Sequence, residues 1–187
     1  MRFWRVILLC TAGTALHLLG GCASTRWYPS RNCCNVGAEG YRLEAPKGWM
    51  VMHRNEDIIL TQHGVSLQNI FIDKQGLDEP LSYSGVHLSQ SMFPHQIAEA
   101  VIDNFRGTNG VAKVKILSLS PALLDEIEGY RAVVAYRLAN GIGKKTAVYG
   151  CVYRSDYYEL SFSAPVRHYF DNDLETFESV VESFKID

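Results

Sequence analysis

No catalytic signature is written into this 187-residue sequence. It has no HExxH helix to hold zinc, no paired CxxC and no GxSxG elbow to expose a nucleophilic serine. Internal repeats and low-complexity blocks are absent, which excludes solenoids and arrays. Basic residues are not clustered, and 18 Lys and Arg stand against 20 Asp and Glu, so nucleic acid is not an expected partner. No apolar run reaches the roughly 20 residues of a membrane-spanning helix. The stretch Gly141-Ile142-Gly143-Lys144-Lys145-Thr146 brushes a phosphate loop. It lacks the upstream glycine and joins two strands, so it reads as a hairpin with solvated lysines. His53, His63, His87, His95 and His168 are scattered with no i, i+4 pair, and the mere presence of serine, histidine and aspartate does not make a triad. Glu56-Asp57 and Asp171/Asp173 fall in turns, where capping and solubility account for them. No catalytic, cofactor-binding or metal-binding residue is expected, and no cofactor.

What is present begins at the N-terminus. Arg2 and Arg5 form a basic start, Val6 to Leu19 an apolar middle, and Leu19-Gly20-Gly21-Cys22 the close. The arrangement resembles a bacterial lipoprotein signal ending in a lipobox, with small residues before the cut. The resemblance implies removal of residues 1–21 and acylation of Cys22. Stable anchoring takes at least two acyl chains, and such processing supplies three. The lipid bilayer is then the first partner, and the compartment is the bacterial cell envelope. In the enterobacterial pattern an Asp after the cysteine favours inner-membrane retention. Ala23 therefore implies the outer membrane, by resemblance alone.

Residues 22–38 carry Ser, Thr, Pro, Asn and Gly with little periodicity, as a flexible tether would. A random coil of this length would hold the domain about 20 Å from the lipid. Trp27 and Tyr28 interrupt it; they suit either the headgroup region, where amphipathic rings settle, or packing on the domain. Without Arg2 and Arg5, the 18 Lys and Arg become 16 against 20 Asp and Glu. Residues 39–187 are long enough for one domain with its own core. Cys33, Cys34 and Cys151 remain after Cys10 and Cys22. An exported protein allows disulfides; adjacent Cys33 and Cys34 would bond only with strain. Free thiols, one disulfide to Cys151 and, least favoured, a metal site all stay open.

Alternating polarity predicts strands over Tyr41–Ala45, Trp49–Arg54, Ile58–Gln62 and Ser66–Asp73, separated by turn residues. Gln75–Phe93 reads as a long loop, a candidate for recognition or for disorder. Pro94 to Arg106 predicts a helix, with proline in its first turn, Ile97, Val101 and Phe105 on one face and Gly107 as its stop. Strands follow at Val111–Leu119, Tyr130–Leu138, Thr146–Arg154 and Tyr157–Ala164, with a hairpin at Asn140–Gly143. A last helix is expected from about Asp173 to Ser183, capped by Asn172 or Asp173.

Two motifs carry a resemblance. Ala45-Pro46-Lys47-Gly48-Trp49 is similar to the P-x-G-W step between the first two strands of the PsbP-like family, which takes in Mog and the DcrB-type bacterial proteins. Thr176 to Phe184, ending in Ser-Phe, is similar to its closing helix. The likeness covers roughly Gly40 to Asp187. It implies an α+β fold, a central antiparallel β-sheet flanked by helices in an α/β/α sandwich, and accessory or binding roles with no shared active site. A non-enzymatic domain that binds an envelope protein or assists assembly is therefore expected; a small-ligand carrier or sensor with a pocket between sheet and helix is the alternative. Tyrosines crowd the late strands. Strand propensity explains most of them, and a surface lined by Trp49, Tyr149 and Tyr153 is the candidate partner or ligand surface.

Overall fold

The computed structural model describes residues 26–30 and 34–187. In chain order it holds β1 (Tyr28–Pro29), β2 (Cys34–Ala38), β3 (Tyr41–Ala45), β4 (Met50–Arg54), β5 (Asp57–Thr61), β6 (Asn69–Gly76), α1 (Pro94–Arg106), β7 (Val111–Leu124), β8 (Ile127–Leu138), β9 (Gly143–Tyr153), β10 (Asp156–Pro165), α2 (Tyr169–Ser183) and β11 (Lys185–Ile186). Eight strands form one antiparallel sheet in the order β1-β4-β5-β6-β10-β9-β8-β7, and β11-β3-β2 form a second of three strands. This is the expected α+β architecture with a central antiparallel sheet.

The period-two pattern decides which face each strand buries. In β3, Tyr41, Leu43 and Ala45 turn inward while Arg42 and Glu44 face solvent. They meet Ile58, Leu60, Ile70, Ile72, Leu160 and Phe162 of the large sheet in one core. The second helix, α2, closes that core with Phe170, Phe177, Val180 and Val181. The Phe162 ring lies 5.5 Å from Phe170 and 5.7 Å from Phe177, both stacked. A smaller core forms on the opposite face, where Ile97, Ala98, Val101 and Ile102 of α1 cover Tyr130, Ala132, Val134 and Val148.

Several expectations need correction. Residues 22–38 are not a tether throughout. Tyr28 and Pro29 pair with Val51 and Met50, the Ser30 amide donates to the Trp49 carbonyl at 2.7 Å, and Cys34–Ala38 pairs with β3. The small residues there serve close approach: a Cβ on Gly37 would lie 2.7 Å from the Tyr41 carbonyl oxygen. The ordered domain thus reaches back to β1, well before residue 39. Cys151 is a buried free thiol, not a bridged one, and burial with the nearby Asp125 charge pushes its pKa up to about 12. The last helix starts a turn early, after His168 at φ 75, because Phe170 anchors its first turn in the core. Gln75–Phe93 is tied down: Leu81 and Leu88 are buried in the smaller core, and the Asn104 side-chain oxygen accepts the Tyr83 and Ser84 amides at 2.7 and 3.0 Å. Residues 1–25, including the lipobox and Cys22, lie outside the described residues, as do Cys33 and the Cys34 side chain. Among the described residues, no helix is long and apolar enough to cross a membrane.

Candidate binding cleft

The strongest candidate site lies where α1 begins beside the β7–β8 hairpin. Its turn is Asp125-Glu126, with φ of 49° and 65°, the pair of positive values a two-residue type I′ turn requires. Neither residue is the usual Asn or Gly. Asp125 holds its place because its carboxylate accepts Lys185 Nζ at 2.7 Å and the Ile186 amide at 2.8 Å. Burial works against its charge, but those two bonds outweigh it and keep the carboxyl below the ordinary range. The hairpin therefore projects as a fixed arm.

Across from it, the chain enters α1 at Phe93. The Gln96 side chain folds back to accept the Phe93 amide at 2.9 Å, and Pro94 fills the first helical position without a stranded donor. This geometry turns the Phe93 ring outward, 65% exposed and stacked on His95 at 5.9 Å. Between the two elements opens a cleft of about 620 Å³, walled by Phe93, Pro94, His95, the run Leu119 to Leu123, Glu128 and Tyr130. That volume falls within the usual range for ligand sites. Leu123 is 62% exposed, an unusual state for a large apolar side chain that keeps a neighbour such as Phe93.

The floor is polar beneath an apolar skin. Tyr130 is buried, its hydroxyl 2.7 Å from that of Tyr157, and Tyr157 donates to Glu159 Oε2 at 2.9 Å. Burial pushes both phenols well above their ordinary value, so they remain hydroxyls. Gly150 makes the pairing feasible: a Cβ there would sit 2.6 Å from the Tyr157 oxygen and 2.7 Å from the Tyr130 ring. Glu159 also lines a small pocket of about 110 Å³ under Val101, Ile102 and Phe105. Burial raises its carboxyl, against the pull of the Tyr157 and Ser161 hydroxyls. Directly across the β6–β10 ladder stands Asp73. Burial, a hydrogen bond with Asp57 and the nearby Glu159 charge push its carboxyl up to about 7. No group of three or more His, Cys, Asp or Glu among the described residues is placed to hold a metal ion.

The structure does not bring the sequence candidates together. Trp49 is 3% exposed in the large core. Tyr149 is half-buried on β9, donating its hydroxyl to Glu178 beneath Arg131, whose guanidinium pairs with the same carboxylate at 2.7 Å. Tyr153 packs at the edge of the core, with the Arg154 guanidinium 4.9 Å over its ring. Strands β5, β6 and β10 stand between β4 and β9, four strand spacings or roughly 19 Å, so no groove joins Trp49 to the tyrosines. The cleft residues Phe93, Leu119 and Leu123 were not singled out by sequence. A signal existed: Ile116, Leu117 and Leu119, then Leu123 and Leu124, put apolar side chains on both parities of one strand, a pattern that calls for cover on both faces, yet Ile116, Leu117, Leu119 and Leu123 stay exposed.

No protein-family model matches this chain, and no curated protein sequence does. Solved structures do match. A solution structure of cyanobacterial PsbP (CyanoP) from Synechocystis sp. PCC 6803 superposes with a TM-score of 0.58 at 13% identity, covering 96% of this chain and 99% of that one. The fold is PsbP/Mog1-like. The Ran-binding protein Mog1p of Saccharomyces cerevisiae gives a TM-score of 0.57 at 10% identity, covering 84% of this chain and 96% of its own. LpqN of Mycobacterium tuberculosis, described as involved in cell envelope biogenesis, gives 0.52 at 16% identity, over 83% of this chain and 90% of that one. At these identities the likeness speaks to the fold.

Proposed function

We propose that this chain is a lipid-anchored accessory protein of the bacterial cell envelope, held at the membrane by acylated Cys22 and binding a protein partner without catalysing a reaction. The observation that carries the binding half is the apolar cleft at the β7–β8 arm: an exposed apolar surface of this kind marks an interaction site. The PsbP/Mog1-like fold supports the reading, since one neighbour is described as Ran-binding and another as involved in cell envelope biogenesis. The lipobox resemblance carries the anchoring half, and Ala23 favours the periplasmic face of the outer membrane.

Mass spectrometry of the mature N-terminus tests the anchor: acyl-modified Cys22 in the wild type, and an unprocessed, unacylated chain in Cys22→Ala. Crosslinking in intact cells tests the partner, with turnover of a small substrate at the cleft as the contrary result. A second reading, a small-ligand carrier, is favoured by the cleft volume of about 620 Å³. Native mass spectrometry that retains a small molecule, lost on Leu123→Asp, would support it over the first.

A further inference from the structure

The cleft has a wall of an uncommon kind. Five consecutive residues of one strand line it, Leu119 to Leu123, so the backbone edge itself faces the opening. Strand β7 is the terminal strand of the large sheet and bonds only to β8 within it. The register fixes which groups point outward. Leu124 pairs with Ile127 across the two-residue turn, the hydrogen-bonded pair that closes such a hairpin. By antiparallel alternation, Ala122 and Ser120 also bond inward. Leu119, Pro121 and Leu123 therefore turn their carbonyls, and the two leucines their amides, toward solvent. Pro121, with no amide, occupies an outward-facing edge position that tolerates it. Earlier in β7 the register is broken between Ala112 and Lys115 and again between Ile116 and Ser118. Such bulges discourage edge pairing, which leaves the segment from Leu119 to Leu123 as the pairable stretch.

Charge and position narrow the occupant. Glu128 lines the cleft and Glu126 stands exposed at the turn. An acidic rim beside Leu123 repels anionic headgroups, whereas membrane-dipping surfaces carry Lys and Arg. The anchor also enters from the other end of the sheet. Tyr28 lies six chain steps beyond Cys22, a reach of at most about 22 Å. Between β1 and β7 lie seven strand spacings, about 34 Å.

We propose that β7 receives an extended segment of a partner protein as an added strand, apolar at alternate positions where it crosses the cleft and carrying lysine or arginine to meet Glu128. This deepens the accessory-protein reading and rests on it. Alternate side chains of the added strand pack against Phe93, Leu119 and Leu123, while the backbone supplies the affinity, as in other strand-addition complexes.

The test places a photoreactive benzoylphenylalanine at position 123 of the full chain in living cells and maps the crosslinked segment by mass spectrometry. The expected adduct is to another protein, in a segment that alternates apolar residues and holds a Lys or Arg. A synthetic peptide of that mapped sequence, added to the purified full chain, slows amide exchange at Leu119 and Leu123 at least tenfold. Its affinity falls at least tenfold in Glu128→Lys and in Leu123→Asp, both exposed positions whose unchanged melting temperatures confirm the fold. A lipid adduct, an adduct to a second copy, no adduct, or a bound peptide that leaves the Leu119 and Leu123 amides unprotected each overturns the proposal. The N-terminal mass of the same sample reports acylation separately, so failure of docking is distinguishable from failure of the anchor.

Discussion

The two faces of the large sheet are finished differently. On one, α2 and the three-stranded sheet seal a core rich in stacked aromatic rings, with Phe162, Phe170, Phe177 and Phe184 buried. On the other, α1 covers the β7–β9 end. Ile59 and Phe71 beyond it stay half-exposed beside Asp73. The first face holds the molecule together. The second keeps groups that a purely structural face would have shed: a carboxylate near neutrality, a buried tyrosine pair and an open apolar cleft. The proposed binding cleft thus lies on the side of the sheet opposite the larger core.

Substitutions separate the two. Phe177→Ala empties the middle of the aromatic stack and should cost about 3–5 kcal/mol, at the upper end for core truncations. Ile97→Ala under α1 should cost clearly less, about 2 kcal/mol. Equal losses in urea unfolding would remove the asymmetry. Gly150→Ala should destabilise by roughly 1–3 kcal/mol, because the new methyl meets the two tyrosine side chains below the cleft. Adding Tyr157→Phe should recover part of that loss, a non-additivity expected of residues in contact.

Asp73 gives the comparison a pH signature. Its folded pKa, pushed up to about 7, exceeds the unfolded value, so the fold favours the protonated acid. The stabilisation is complete below pH ~4 and is lost as pH rises through 7. Asp73→Asn should therefore gain stability relative to wild type at pH 8, by roughly 1–3 kcal/mol, and show no gain at pH 4. A wild type equally stable at pH 5 and pH 8 would contradict this. Leu123→Ser is the smallest effect: within about 0.5 kcal/mol of wild-type stability, as for other exposed sites, yet with affinity for the mapped partner peptide lowered at least tenfold.

The fold was legible where periodicity was strong. Alternation marked β3, β8, β9 and β10, and the apolar stripe with Pro94 and Gly107 marked α1 at the boundaries the structure shows. The hairpin turn at Asp125-Glu126 was not, since Glu126 stands where a type I′ turn usually has glycine; a contact from β11, distant in sequence, holds Asp125 there. For the same reason the last third of β7 and the start of β8 went unseen, and with them the cleft. The paired segments before residue 39 were hidden by composition. Gly37 and Ser30 look like linker residues, but one is small for close packing and the other donates its hydroxyl to the Pro46 carbonyl. Aromatic content did not tell where its rings would go: Trp49 lies in the core, and Tyr149 donates to Glu178 beside Arg131.

Residue-resolved amide exchange, on the purified chain and on the chain in its native envelope, tests the division of labour most directly. The Leu119 and Leu123 amides should slow at least tenfold in the envelope while β10 amides exchange alike in both preparations. Identical rates at Leu119 and Leu123 in the two settings, or new protection confined to the β1–β4 edge, would contradict it.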